Sequence, residues 1–168
     1  YLIVGAGCVG MAFADTLVDE CDAEIVMVDG HGLPGGHWND AYPFVTLHQP
    51  SSFYGVASTP LGRDRIDTRG FNAGLGELAS GVEVQQYFQA VMHDRLLPTG
   101  RVRYYPKSWW DGAGHFTSQL TGETHGIAVR KKIVDTTHLK TTVPSTHTPS
   151  FEIDAGVRFM PLNDLPKV

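Results

Sequence analysis

The sequence has few cysteines, only Cys8 and Cys21 among its 168 residues. A helix between them would hold the two thiols about 20 Å apart, well beyond the ~7 Å between Cα atoms that a disulfide allows. We therefore predict free thiols, which are typical of a reducing cytoplasm. Cys8 at a helix start could be a redox-active thiol with a lowered pKa. Because no cysteine lies near it, the favoured interpretation is a small residue filling a loop.

Basic residues are also scarce, because 13 Lys and Arg stand against 18 Asp and Glu for a net charge of −5. This balance argues against a nucleic-acid partner. No apolar run approaches the ~20 residues of a membrane span, and no signal peptide is visible, so we expect no membrane partner. The 8 histidines show no close ligand spacing, and we predict no metal site. A Gly-x-Ser-x-Gly nucleophile motif is absent, and the catalytic residues stay unassigned.

The first ten residues are the most informative stretch, since apolar residues lead straight into Gly-x-Gly-x-x-Gly. Gly5 would allow a tight turn, Gly7 would let the backbone approach a pyrophosphate, and Gly10 would let the next helix pack closely on its strand. The start of that helix would offer free N–H groups and a partial positive charge to the phosphates. The predicted phosphate contacts are Gly5, Gly7, Cys8, Val9 and Gly10.

The sequence after this loop continues the same pattern. Ala14 and Leu17 are spaced to face a sheet from one side of a helix, and the apolar run 23–28 predicts a second buried parallel strand. Asp29 follows that strand at its carboxyl end, where an acidic side chain can accept both hydroxyls of an adenosine ribose. The alternative is an ordinary βαβ unit whose glycines serve only the turn. We favour dinucleotide binding because glycines, helix, strand and acid occur in the expected order.

A second glycine-rich segment follows Asp29 and ends in Gly35-Gly36-His37-Trp38. With the first motif and Asp29, it resembles the FAD-binding start of the flavin-dependent monooxygenases. That group includes the flavin-containing monooxygenases, the Baeyer–Villiger enzymes and the N-hydroxylases, and Tyr42-Pro43 also matches the Baeyer–Villiger pattern. The resemblance implies FAD as cofactor, NAD(P)H as co-substrate of the full-length protein and a small-molecule substrate. Alternatively, the two glycines only make a turn and Trp38 belongs to the core.

The resemblance also implies that residues 44–55 pass near the flavin ring. His48 or Gln49 could then donate a hydrogen bond to the flavin, and His48 is a weak catalytic candidate. A histidine in a loop is otherwise a surface or packing residue. On the ribose and flavin side the predicted cofactor contacts are Asp29, Gly30, Gly36, His37, Trp38 and His48.

The middle of the chain predicts a loop and then a helix. Residues 63–79 mix both charges with glycines, which is typical of a solvated connection, although part of such a long loop could border a substrate. Ser80 and Glu83 form a capping-box pattern that predicts a helix start. Pro98 and Gly100 predict its end. The apolar side chains at helical spacing are predicted to be core: Val84, Tyr87, Phe88, Val91, Met92 and Leu96.

After this helix, 102–105 predicts a third parallel strand. Three further apolar segments separated by short turns predict an antiparallel meander: 108–110, 115–120 and 127–134. Residues 132–137 would return the chain to the parallel sheet. The predicted fold class is α/β, a Rossmann-like three-layer FAD/NAD(P)-binding domain whose parallel sheet carries an antiparallel β-meander crossover.

We expect residues 1–138 to form the FAD-binding domain and 139–168 to be a connector towards a further domain. In the resembling family the returning strand ends in an Ala-Thr-Gly-like turn, whereas this chain reads Asp135-Thr136-Thr137-His138. The Baeyer–Villiger fingerprint is missing around His147, which argues against that subclass, and a second Gly-x-Gly-x-x-Gly is not found.

Because the chain also starts with Tyr1, we expect a portion of a longer flavoprotein. The alternatives are a dinucleotide-binding module without catalysis and an NAD-linked dehydrogenase domain. The Gly-Gly-x-Trp segment disfavours the dehydrogenase. The sequence indicates neither the substrate nor the oligomeric state.

Overall fold

A central parallel sheet organises the protein, in a computed structural model that describes residues 1–137 and 147–168. Its strands are β1 (Leu2–Val4), β2 (Ile25–Val28), β5 (Val102–Tyr105) and β9 (Ile133–Asp135). They lie in the order β5-β2-β1-β9, and every neighbouring pair is parallel. Because β1 is central and almost wholly apolar, its side chains are buried from both faces of the sheet. The predicted parallel sheet, including the return of the chain after the meander, is confirmed.

The helices pack on one face of this sheet. Helix α1 (Cys8–Glu20) begins inside the glycine motif rather than after it, with Val18 more deeply buried than the predicted Leu17. Helix α2 (Gly81–Ala90) begins at the predicted capping box, in which Ser80 and Glu83 bond each other's backbone N–H groups. It continues through a π-helical stretch, Val91–Leu96, and a 3-10 turn that Gly100 ends in a left-handed conformation. All six apolar side chains predicted as core are buried.

An antiparallel meander covers the other face, formed by β6 (Ser108–Trp110), β7 (His115–Ser118) and β8 (Thr124–Gly126). The prediction of the third strand at 127–134 was wrong. Strand β8 lies earlier, where the hydroxyls of Thr117 and Thr124 contact each other at 2.9 Å. Ile127 and Val129 still pack beneath the meander, and the Ile127 N–H donates to the Gly114 carbonyl at 2.9 Å. The β7–β8 pairing nevertheless ends at Gly126, and the chain then runs towards β9.

Alternating side chains of the parallel strands divide the core into two halves. Ile3, Ile25 and Met27 face the helices in a large cluster with Phe88 and Met92. On the opposite face, Leu2, Val26 and Val28 pack in a second cluster with Phe116 of the meander. The alternation follows from the two-residue period of a strand and yields helices, sheet and meander as three layers. The predicted fold class is thereby confirmed.

The remaining segments are short or irregular. A hairpin of β3 (Gly55–Val56) and β4 (Thr59–Pro60) precedes the predicted loop, which contains one isolated bridge between Ile66 and Gly76. A 3-10 helix, Leu162–Lys167, lies near the C-terminus. The predicted turn at His138 and the predicted boundary between 1–138 and 139–168 lie outside the described residues. Within the described ranges, no helix is both long and apolar enough to cross a bilayer.

Candidate functional site

Loops from three neighbouring strands meet at the carboxyl edge of the parallel sheet. The backbone N–H of Ala6, after β1, donates to Asp29 Oδ2, after β2, at 2.5 Å. The carbonyl of Ala6 accepts from the N–H of Gly35 at 2.8 Å, which ties the second glycine segment to the first. Beyond β9, the Thr136 hydroxyl donates to the Val4 carbonyl at 2.8 Å. The structure thus brings together the glycine motif, the predicted ribose acid and the second glycine segment.

Close backbone approaches explain the glycines at this edge. A Cβ on Gly10 would lie 2.1 Å from the Gly5 carbonyl oxygen, so only glycine lets α1 pack this near the β1 turn. A Cβ on Gly36, whose φ is +58°, would lie 2.9 Å from the Gly7 Cα atom. Gly5, at φ +102°, faces the Thr136 hydroxyl. The two glycine segments therefore touch through their backbones and form a cradle in which a Cβ on Gly10 or Gly36 would clash.

The N-terminus of α1 opens onto this cradle. Gly7 is the N-cap, and no acidic residue occupies the first turn. The first N–H groups of an α-helix have no partner within the helix, and they carry the positive end of its dipole. Since no carboxylate of that turn competes for them, the arrangement suits a phosphate, and Gly5, Gly7, Cys8, Val9 and Gly10 all belong to it. The observed residues fit the diphosphate of a dinucleotide.

Asp29 is buried and held by several groups. Besides the N–H of Ala6, its carboxylate accepts the N–H of His31 at 2.6 Å and lies 3.0 Å from His31 Nδ1. His31 Nε2 lies 2.9 Å from Oδ2 of Asp40, two residues beyond the second glycine segment. The contacts of the His31 ring with Asp29 and Asp40 can both be hydrogen bonds at the same time only if both ring nitrogens carry a proton, because a neutral imidazole donates from one nitrogen. A carboxylate has about four acceptor positions, so Asp29 keeps capacity for a ribose hydroxyl.

Trp38 lies in the core rather than at the surface. Its indole N–H donates to the Tyr54 hydroxyl at 2.7 Å, and the Gln85 side chain donates to its carbonyl at 2.7 Å. The ring of His37 stacks on it with centroids 5.3 Å apart, and desolvation there lowers the pKa of His37. This core position agrees with the alternative interpretation of Trp38. A cofactor contact by the segment 36–38 stays a prediction.

Cys8 lies beside Tyr54, the tyrosine to which the Trp38 indole donates its hydrogen bond. Burial raises the pKa of its thiol, opposed by hydrogen bonds with the Tyr54 hydroxyl and the Gly55 backbone. Burial likewise raises the pKa of Tyr54 to about 12. Both groups are therefore neutral at physiological pH, and Cys8 lacks the lowered pKa of a redox-active thiol. Both Cys8 and Cys21 are free, as predicted.

A cavity of ≈ 540 Å³ opens beside the second glycine segment. It is lined by residues that are far apart in sequence, including His37, Trp38, Tyr42, His48 and Asn163. Asn163 comes from the C-terminal segment, and its amide donates to the Asp40 carbonyl at 2.6 Å. The exposed His48 and the half-buried Gln49 both line the cavity, so the structure brings these predicted flavin-side residues together with His37 and Trp38. This volume is of the size of small-molecule sites.

Two residues at this edge had no role predicted from the sequence. Thr136, directly after β9, lies against Gly5. Trp109 of β6 lies against Gly30, directly after the predicted ribose acid, and is 63% exposed. The alternation of Ser108, Trp109 and Trp110 was the available signal, since a strand that buries Ser108 turns the next side chain outwards. In the described ranges, no cluster of His, Cys, Asp or Glu fits a metal ion.

Comparison with known proteins finds sequence relatives in mycobacteria. Curated proteins of Mycobacterium tuberculosis and Mycobacterium bovis, each named as an uncharacterized protein, are 49% identical over all 168 residues. The chain spans 31% of the length of each of them. No family model matches the chain.

Solved structures resemble the fold at lower identity. A flavin-containing monooxygenase from Stenotrophomonas maltophilia matches with a TM-score of 0.51 and 17% identity, over 81% of this chain and 37% of that one. S-allyl-L-cysteine S-oxygenase from Allium sativum matches with a TM-score of 0.53 and 15% identity, over 80% of this chain and 35% of that one. A cyclohexanone monooxygenase mutant from Rhodococcus sp. Phi1, solved with NADP⁺, matches with a TM-score of 0.50 and 19% identity, over 84% of this chain and 26% of that one. The chain has a flavin monooxygenase-like fold.

Proposed function

We propose that this chain is the FAD-binding portion of a longer FAD-dependent oxidoreductase, monooxygenase-like and using NAD(P)H. The observation that carries the proposal is the contact between the two glycine segments, where a Cβ on Gly36 would meet the Gly7 Cα atom at 2.9 Å. A turn alone does not require such a contact. A backbone cradle beside an uncapped helix start and a buried acid is what a dinucleotide diphosphate and ribose require.

Each part of the site would then hold a different part of FAD. The backbone of 5–10 binds the diphosphate, Asp29 with Gly30 binds the adenosine ribose, and 36–38 with His48 lies on the flavin side. When bound, FAD supplies the redox chemistry, while the protein positions and shields it. Buried Trp38 and Tyr54 hold the second glycine segment in place through their 2.7 Å hydrogen bond. The cavity beside His48 would admit a small-molecule substrate.

We further propose that 1–138 is the FAD-binding domain and 139–168 a connector to another part of the longer protein. Relatives more than three times as long are consistent with this division, since the chain spans 31% of their length. The acidic net charge of −5 and the free thiols support a cytoplasmic protein without a nucleic-acid or membrane partner.

The test is a cofactor titration of the purified chain. FAD is added in excess, unbound nucleotide is removed, and the visible flavin band is measured, with the released cofactor identified by mass. We expect retained FAD in the wild type and at least ~10-fold weaker binding in Gly36→Ala, because the added methyl group pushes the two segments apart. Gly112→Ala is the matched control, since Gly112 also has a positive φ of +82° but no neighbour within 4 Å.

The alternatives predict different outcomes in the same assay. Preferential binding of NAD over FAD would favour the dehydrogenase domain. Retained FAD without NAD(P)H oxidation by the full-length protein, across candidate substrates, would favour a non-catalytic module. If the full-length protein binds neither FAD nor NAD, the proposal is refuted.

A further inference from the structure

We propose that Trp109 is the residue on which the adenine of the bound dinucleotide stacks. This inference rests on the proposed function, because it assigns the base to a site whose ribose acid is Asp29. It adds a residue from the meander to a site that otherwise consists of loops of the parallel sheet.

Backbone hydrogen bonds fasten the start of β6 to the segment that follows Asp29. The N–H of Ser108 donates to the Asp29 carbonyl at 2.9 Å, and the N–H of Lys107 donates to the His31 carbonyl at 2.9 Å. Ser108 is buried, so the next side chain, Trp109, points outwards beside the acid. The position of Trp109 relative to Asp29 is therefore set by main-chain pairing and not by a mobile loop.

Gly30 makes room for the Trp109 indole. A Cβ on Gly30 would lie 2.9 Å from Cη2 and 3.0 Å from Cζ3 of that ring. Gly30 has no positive φ, so backbone conformation does not require glycine there. The outer edge of the indole thus rests against the backbone one residue after the acid, and the glycine is explained by this contact.

The indole has little structural use in its present surroundings. It is 63% exposed, and within residues 1–137 and 147–168 no aromatic ring pairs with it. The neighbouring Trp110 differs, because it packs against the buried cluster around Phe116. A large, mostly exposed aromatic side chain held in one place beside a nucleotide site is a platform for a base.

The chemistry of the dinucleotide places adenine at this point. The base is joined by a single glycosidic bond to the ribose whose hydroxyls Asp29 would accept, so it lies beside the residues that flank the acid. Stacking on an aromatic face requires no particular hydrogen-bonding pattern of the base. Trp109 would therefore strengthen binding of any adenosine diphosphate unit without reading the flavin end.

The test measures dissociation constants for FAD and for ADP with the chain and its variants. Trp109→Ala should weaken both about 10-fold, and Trp109→Phe should retain most of the affinity. Trp110→Phe is the control and should bind like the wild type. ADP should quench the tryptophan fluorescence of the wild type, and this quenching should be lost in Trp109→Phe. Far-ultraviolet circular dichroism and melting curves confirm that each variant is folded.

A coupled variant tests the geometry. Gly30→Ala should weaken ADP binding in the wild-type background by displacing the indole, and should have no further effect when Trp109 is already alanine. If the wild type binds FAD and Trp109→Ala binds it equally well, the inference is overturned and the proposed function stands. Equal losses in Trp109→Ala and Trp110→Phe would overturn it as well. If neither the wild-type chain nor the full-length protein binds FAD or ADP, both proposals fall together.

Discussion

Cys8 shows how a single residue changes meaning between sequence and structure. In the motif it stands at a helix start, where a thiol's pKa ordinarily falls. In the fold its sulfur is half-buried beside Tyr54, and desolvation raises the pKa instead. Desolvation outweighs the hydrogen bonds with Tyr54 and Gly55 because removal from water penalises the thiolate directly.

The raised pKa of Cys8 predicts slow alkylation. Only the thiolate reacts, so a raised pKa lowers the reactive fraction at a given pH and moves the labelling midpoint above the ~8.5 of a free thiol. In iodoacetamide labelling followed by mass spectrometry, the exposed Cys21 should react first at neutral pH, and Cys8 should respond only at higher pH. Under denaturing conditions the two should react alike. Faster labelling of Cys8 in the native protein would contradict the burial argument.

Helix α2 shows how much an element's sequence determines. The start at Ser80, the buried stripe and the end at Gly100 all followed from local patterns, because capping and amphipathic spacing act within a few residues. The π-helical stretch Val91–Leu96 did not, since it has the same apolar spacing as an α-helix. The third meander strand was misplaced for a related reason: half-buried apolar side chains at Ile127 and Val129 alternate as in a strand, although the β7–β8 pairing ends at Gly126.

The capping box predicts a measurable contribution to stability. Ser80→Ala removes the acceptor for the Glu83 N–H, and we expect a loss of about 1 kcal/mol in the free energy of unfolding. Ser52→Ala, at an exposed serine within another short helix, should change stability by less than ~0.5 kcal/mol. Chemical denaturation of both variants checks this. Equal midpoints for the two would show that the cap contributes nothing.

For the whole molecule, a buried charge ties distant segments together. Asp15 of α1 has a fully buried side chain that accepts from the Ser58 N–H at 3.0 Å and from Arg95 Nε at 3.2 Å. The contacts join α1, the turn of the β3–β4 hairpin and the π-helical stretch. They hold the hairpin, and with it Gly55, next to Cys8 at the edge of the candidate site.

This cluster predicts unequal effects of two similar substitutions. Asp15→Asn turns an amide towards the Ser58 and Arg95 donors and should destabilise the protein by about 2–4 kcal/mol. Asp19→Asn removes the other carboxylate bonded to Arg95. Because the Asp19 side chain is 50% exposed, this change should lower the free energy of unfolding by less than ~1 kcal/mol. Melting and denaturant curves of both variants measure the difference. Similar losses would mean that burial of Asp15 is not what makes its contacts important.

Local sequence by itself determined the order of elements, the glycine turn and the acid at the end of β2, because each depends on residues a few positions apart. Only the tertiary structure decided which side chains meet. Packing buried Trp38 in the core, strand pairing placed Trp109 beside Gly30, and desolvation set the state of Cys8. These outcomes depend on contacts between residues far apart in the chain, and no local pattern specifies such contacts.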